Sequence, residues 1–196
     1  MTILTQKERG TVLLLFKDYT VFYNANSISK ILAISHVGAQ KIFKRLLQEN
    51  VVISKTIGKS ITYKLNFSND YVINLVAFLL ADEANKFKRW KEEFKELFKK
   101  NRIIMLFGSA IKNYAHANDI DLMIVLENKE VNEINNILKK KEEILPKKLN
   151  TLKLTSQDLL KNLKKKDRAF VDIIKNAIIL YGQDKYVGIL KNVTSL

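Results

Sequence analysis

The chain has 196 residues, room for two small domains, with 47% hydrophobic and 28% charged residues, ordinary proportions for a globular protein. It contains no cysteine, which excludes disulfides, thiolate metal sites and a cysteine nucleophile, and no apolar run approaches the roughly 20 residues that span a bilayer. A soluble, cytoplasmic protein with no membrane partner is expected, and the formal charge of +14 suits a polyanion, nucleic acid first.

The charge is unevenly placed. Residues 1–66 hold ten basic and three acidic side chains, residues 67–101 seven and six, and residues 102–196 seventeen and eleven, an excess of +7, +1 and +6. Both ends of the chain are therefore basic and the middle is not. A lysine-rich composition that only keeps the protein in solution is the plainer reading of the same numbers.

In chain order, Thr5 with Glu8 three places on has the spacing of a capping box and opens a helix over residues 5–16, with Val12, Leu13 and Phe16 as its stripe. A short second helix is expected after a cap at Asn26 or Ser27, through Ile28, Ile31 and Leu32, interrupted by Ser35-His36. The third starts near Val37 and turns Ile42, Phe43, Leu46 and Leu47 toward a core. Asn50 suits a left-handed cap, Val51–Ile53 opens a strand, Gly58 sits among lysines in a turn, and Ser60–Leu65 alternates as a returning strand does.

Three short helices followed by a hairpin resemble the winged helix-turn-helix family over residues 1–66, through SISKILAISHVGAQKIFKRLLQENVV and the wing SKTIGKSITYKL. The resemblance implies double-stranded DNA as partner, with the third helix in the major groove. Ser35, His36, Gln40, Lys41, Lys44 and Arg45 would then project outward, Gln40 and Arg45 toward base edges and Lys41 and Lys44 toward phosphates. Lys55, Lys59 and Lys64 would grip the flanking backbone from the wing. The competing reading makes these solvated faces, or a protein-interaction module, with His36 a simple turn residue.

Tyr71 to Lys100 contains neither glycine nor proline, so residues 67–100 read as a connecting helix, continuous or built of two abutting ones. Phe87, Trp90, Phe94, Leu97 and Phe98 continue an apolar stripe opposite Lys88, Arg89, Lys91, Glu92, Lys95 and Glu96. The stripe serves either as intramolecular core or as a homodimer seam along residues 71–100.

Residues 102–107 (RIIMLF) form a buried-strand run that ends at Gly108-Ser109, and after a polar loop comes Asp119-Ile120-Asp121-Leu122-Met123-Ile124-Val125. Carboxylates at i and i+2 share one face of a strand, a placement that suits a magnesium ion, while glycine and serine at a strand end let phosphate oxygens approach the backbone. His116, in the loop, reads as an exposed bystander.

Strand, Gly-Ser, loop and Asp-x-Asp strand in that order resemble the polymerase beta nucleotidyltransferase superfamily over residues 101–196. The likeness is greatest to the minimal nucleotidyltransferases of prokaryotes, archaeal type. The resemblance implies that Asp119 and Asp121 are catalytic and hold Mg²⁺, that Gly108 and Ser109 bind nucleotide, and that the cofactors are Mg²⁺ and an NTP, ATP first. The reaction implied is transfer of a nucleoside monophosphate to an acceptor hydroxyl, a protein in antitoxin-type members.

Two departures matter. Active members carry a third carboxylate on a later strand, here Leu149–Leu154, where Asn150 and Thr151 are poor substitutes and Asp158 reads as a first-turn helix charge. The loop also lacks a usual glycine, with Asn113 near its place. A non-catalytic regulator that only senses nucleotide is therefore the alternative to an enzyme. Beyond the site, a helix over Val131–Leu145 ends at Pro146, a basic tract fills Lys161–Arg168, and a last amphipathic helix runs from Phe170 to Leu180, closing at Tyr181-Gly182. The fold class expected is α+β in two domains, a winged helix-turn-helix and a mixed sheet flanked by helices.

Overall fold

A computed structural model describes residues 4–194. In it Thr5 caps α1 (Gln6–Lys17) as the spacing predicts: its side chain accepts from the Glu8 N–H, and the Glu8 carboxylate accepts from the Thr5 N–H at 2.7 Å. The cap of α2 (Ala25–Ile31) is Asn24, not Asn26 or Ser27. Ser27 is the far half of the box, accepting from the Asn24 N–H at 2.9 Å, which is why a cap-type residue stands inside the helix.

Helix α3 (His36–Gln48) is capped by Ser35 and buries Ala39, Phe43 and Leu46, a stripe at i, i+4 and i+7. Leu47, expected in the core, lies 37% exposed, because one residue past Leu46 the helix has already turned about 100°. Asn50 is left-handed with φ 55°, as its residue type suggests. Strands β1 (Val52–Ile57) and β2 (Ser60–Leu65) pair antiparallel around Gly58, with Val52 opposite Leu65. Phe43 stacks on Tyr63 with ring centroids 3.8 Å apart, fastening α3 to the hairpin.

Of the two forms expected for the connector, the structure has two abutting helices and not one continuous helix. Helix α4 (Asp70–Asn85) stops, Phe87 caps the short α5 (Lys88–Glu93), and a single 3-10 turn follows over Lys95–Leu97. Two compact units divide inside α4, Met1–Leu79 and Leu80–Leu196, so the aromatic half of the connector belongs to the second unit. There Trp90, Phe94 and Leu97 are buried with Ile104, Leu106, Ile120, Leu122, Ile134 and Leu138. The stripe that also suited a dimer seam is spent within the chain.

The second unit places β3 (Ile103–Phe107), α6 (Ser109–Lys112), β4 (Asp119–Val125), α7 (Val131–Ile144) and β5 (Lys148–Leu154) in sequence. Then come α8 (Ser156–Lys165), α9 (Arg168–Asn176), β6 (Ile178–Tyr181) and α10 (Gln183–Thr194). The sheet runs β5-β4-β3-β6, with β4 parallel to β5 and β3 antiparallel to both its neighbours. The last helix expected over Phe170–Leu180 instead ends at Asn176 and gives way to strand β6, with α10 beyond it. Ile178-Ile179-Leu180 are buried beside β3, and Gly182 (φ 80°) turns the chain where a Cβ would stand 3.0 Å from Ile103 Cα.

Arg102, at 1% exposure, opens β3 and reaches Glu130 at 2.9 Å, Glu133 at 2.9 Å and the Leu97 carbonyl at 3.3 Å. Lys141 pairs with Glu93 at 3.2 Å and Glu96 at 3.1 Å, tying the connector to α7. The fold is α+β: helices with a two-stranded hairpin in one unit, a four-stranded mixed sheet flanked by helices in the other. No helix among the described residues is long and apolar enough to cross a membrane.

Candidate functional site

Phe107, the last residue of β3, stands opposite Asp121 on β4, so the chain leaves the sheet beside that carboxylate. It leaves through Gly108, with φ 79° and ψ −163°, a region essentially reserved for glycine. A Cβ at Gly108 would lie 3.0 Å from the Asp121 Cγ and collide with Oδ2. Conformation and space both demand glycine, which explains the residue by the aspartate it faces.

Asp119 and Asp121 share one half-buried face of β4, while Ile120 and Leu122, both at 0% exposure, anchor the other face in the core. On β5 the parallel register sets Asn150 opposite Asp121. The Asn150 amide Nδ2 donates to Asp119 Oδ2 at 2.7 Å and to Asp121 Oδ1 at 3.2 Å. Burial pushes the Asp121 carboxyl up, the Asn150 bond draws it down, Asp119 pushes it up again, and the net shift is upward.

These oxygens, hard donors on a rigid strand, fit a divalent cation such as Mg²⁺. No group of three or more His, Cys, Asp or Glu residues that could hold a metal exists among the described residues. Thr155 caps α8, and its N–H and hydroxyl donate to the Asp158 carboxylate and hold it below the ordinary value, while Glu127 pairs with Lys129 at 2.8 Å. Neither joins the pair, in keeping with the helix-end role read for Asp158.

Ser109, exposed, begins α6 directly after Gly108, and its carbonyl accepts from Asn113, the C-cap of that helix. His116 is exposed. The loop before Asp119 is held by residues that no sequence pattern ties to it. The Lys147 ammonium donates to the Ala115 and Ala117 carbonyls, and the Arg89 guanidinium lies 4.1 Å over the Tyr114 ring, which meets Trp90 edge-on at 5.4 Å. Their spacing in sequence is arbitrary, and only the fold brings them together. A cavity of about 480 Å³ lies elsewhere, along α8, lined by Gln157, Leu160, Lys161, Lys164 and Lys165.

In the first unit His36, Gln40, Lys41 and Lys44 are exposed on α3, and Lys55 and Lys59 are exposed on the hairpin. Ser35 spends its hydroxyl on the Gly38 N–H at 3.0 Å. Lys64 lies 4.1 Å over the Phe22 ring. Arg45 does not share the outward face: Nη1 contacts both Glu8 carboxylate oxygens at 3.0 Å and Nε reaches Glu49 at 3.2 Å. It fastens α3 to α1, because it lies near the edge of the exposed arc, within reach of the largely buried Glu8.

Residues 92–186 match the family described as Polymerase beta, Nucleotidyltransferase. The match spans the Gly108–Asp121 contact, Asn150 and the connector from Glu92 onward, with Phe94 and Leu97. No curated protein matches the chain. A variant of Lactococcus lactis ZitR is similar in structure at 13% identity and TM-score 0.38, covering 72% of this chain and 75% of that one. A second ZitR variant gives 14% and 0.36, covering 73% and 76%.

Proposed function

We propose that this chain is a DNA-binding nucleotidyltransferase. Its C-terminal unit binds a nucleoside triphosphate, ATP first, with Mg²⁺ at Asp119 and Asp121 and the phosphates beside Gly108 and Ser109. The reaction joins an acceptor hydroxyl oxygen to the α-phosphorus, breaks the bond to the β-phosphate bridge and releases pyrophosphate and the hydroxyl proton. A protein is the acceptor class. The observation that carries this reading is the fit of Gly108 against Asp121, inside a segment that matches a nucleotidyltransferase family. The bound ion would supply neutralisation of phosphate charge. The chain's own part is to hold two carboxylates on a strand whose other face is locked in the core.

DNA is the partner of the first unit, through Gln40, Lys41 and Lys44 on α3 and Lys55 and Lys59 on the wing, with Ser35, His36 and Lys64 at the margin. The exposure of these lysines supports the reading, and Arg45 is set aside because Glu8 and Glu49 hold it.

The test is incubation of the chain with ATP labelled at the α-phosphate, Mg²⁺ and a cell extract. Label on a macromolecule, absent with Asp119→Ala/Asp121→Ala, supports transfer. A second reading, a regulator that binds nucleotide without turnover, is favoured by the neutral amide of Asn150 bonded to both aspartates. It predicts nucleotide binding with no label transferred.

A further inference from the structure

Two ionised carboxylates on one strand face repel each other, and in this chain a neutral donor stands between them. Asn150 Nδ2 spans Asp119 at 2.7 Å and Asp121 at 3.2 Å, from the edge strand of the sheet. Two negative charges balance a single divalent cation. A second cation would leave the protein's donor set two charges short, and among the described residues no third His, Cys, Asp or Glu joins the pair to make a metal group: Asp158 bonds Thr155 and Glu127 pairs with Lys129. An asparagine amide carries both a donor and a hard oxygen acceptor on one carbon, so the same side chain can serve either state of the site.

We propose that Asn150 is the third arm of a single-ion site. Without cation its N–H₂ group clamps Asp119 and Asp121 together, and with cation its carbonyl oxygen takes a place beside theirs. Asn150 is a positioning residue in the first state and a ligand in the second. The proposal rests on the reading that the aspartate pair binds a divalent cation, and it adds the number of ions and the identity of the third donor. It also explains why an amide at this position is compatible with a working site: it stabilises the empty pair, which a third carboxylate would push apart.

The experiment uses the full chain and Mn²⁺ alone, without nucleotide. Free Mn²⁺ is counted by its electron paramagnetic resonance signal, and melting is followed in EDTA and in saturating Mn²⁺. Wild type is expected to bind one ion. Asn150→Asp should bind Mn²⁺ about tenfold more tightly or better, since ligand charge sets the affinity of such sites. In EDTA it should melt below wild type, and Mn²⁺ should reverse the order. Asn150→Ala, which adds no charge, should also melt below wild type in EDTA and bind Mn²⁺ more weakly. Equal Mn²⁺ affinity in all three proteins with unchanged melting in EDTA would overturn the role of Asn150 while leaving the aspartate site intact. Two ions in wild type would overturn the single-ion count. No Mn²⁺ bound by any of them would overturn the cation reading itself, and this inference with it.

Discussion

Gly108 faces the carboxylate of Asp121 with no space between them for a methyl group, the Asp121 Cγ lying 3.0 Å from where a Cβ would be. Gly108→Ala therefore faces two penalties, a φ of 79° with ψ −163° and a collision with the carboxylate. The backbone strain alone should cost about 1–3 kcal/mol. The larger consequence is chemical, since relief of the collision moves Asp121. Thermal melts should show a less stable protein that Mg²⁺ and ATP no longer stabilise.

The pair of Arg102 and Glu130 lies under the start of β3, at 0% and 9% side-chain exposure. Burial pushes the Glu130 carboxyl up, but the Glu127 N–H, Arg102 and Lys99 outweigh it and hold it below the ordinary 4.5. A carboxyl that titrates lower when folded stabilises fully above its unfolded value, and loses that contribution as pH falls through the folded one. Glu130→Gln should melt below wild type at pH 7, by less than the about 3–5 kcal/mol that leaving a buried charge uncompensated costs, since Glu133 still pairs with Arg102. The gap should hold down to about pH 4.5, the ordinary glutamate value, and narrow below it. Melting curves across that window check both parts.

Lys41 and Lys44 are exposed on α3, whereas Arg45 is held by Glu8 and Glu49. The double variant Lys41→Ala/Lys44→Ala should weaken DNA binding and reduce the slope of log affinity against log salt by roughly two, about 0.9 for each phosphate that the protein no longer neutralises. Arg45→Ala should leave the slope unchanged and lower the stability by roughly 1–3 kcal/mol, the cost of leaving the Glu8 carboxylate without that partner. Salt titrations of binding to duplex DNA, with melts, separate the two effects.

Phe94 is fully buried against the sheet and stacks on Trp90. Phe94→Ala should cost about 3–5 kcal/mol. The loss should fall on the second unit, so hydrogen exchange would rise along β3 and β4 while α1 and α3 keep their protection.

Much of this was legible because local signals dominate there. The Thr5–Glu8 box, the left-handed Asn50 and the alternation in Ser60–Leu65 all involve residues within a few positions of each other. Glycine before serine and two aspartates in an apolar strand also marked the candidate site, and the fold does bring Gly108 against Asp121. Three features were not legible, each for a physical reason. Ile178–Tyr181 is too short for periodicity to separate a buried strand from a buried helix, and only pairing with β3 decides it. Two abutting helices were one of the forms expected for the connector, but the place of the break, at Phe87, is marked by neither glycine nor proline, because burial of Trp90, Phe94 and Leu97 against the sheet overrides helix propensity. Asn150 looked like a poor substitute for a carboxylate. Its bond to both aspartates follows from the register of β4 and β5, which no single strand encodes.

A cation-dependent nucleotide site at Asp119 and Asp121, as proposed, is tested most directly by calorimetric titration with ATP, with and without Mg²⁺. Wild type should bind ATP only with Mg²⁺, and Asp119→Ala/Asp121→Ala should not bind. A matching thermal shift is expected, because ligand at about 100 times its Kd adds roughly 2.7 kcal/mol of stability. ATP binding that persists without Mg²⁺ or in the double variant, or no binding by the wild type at all, would contradict the claim.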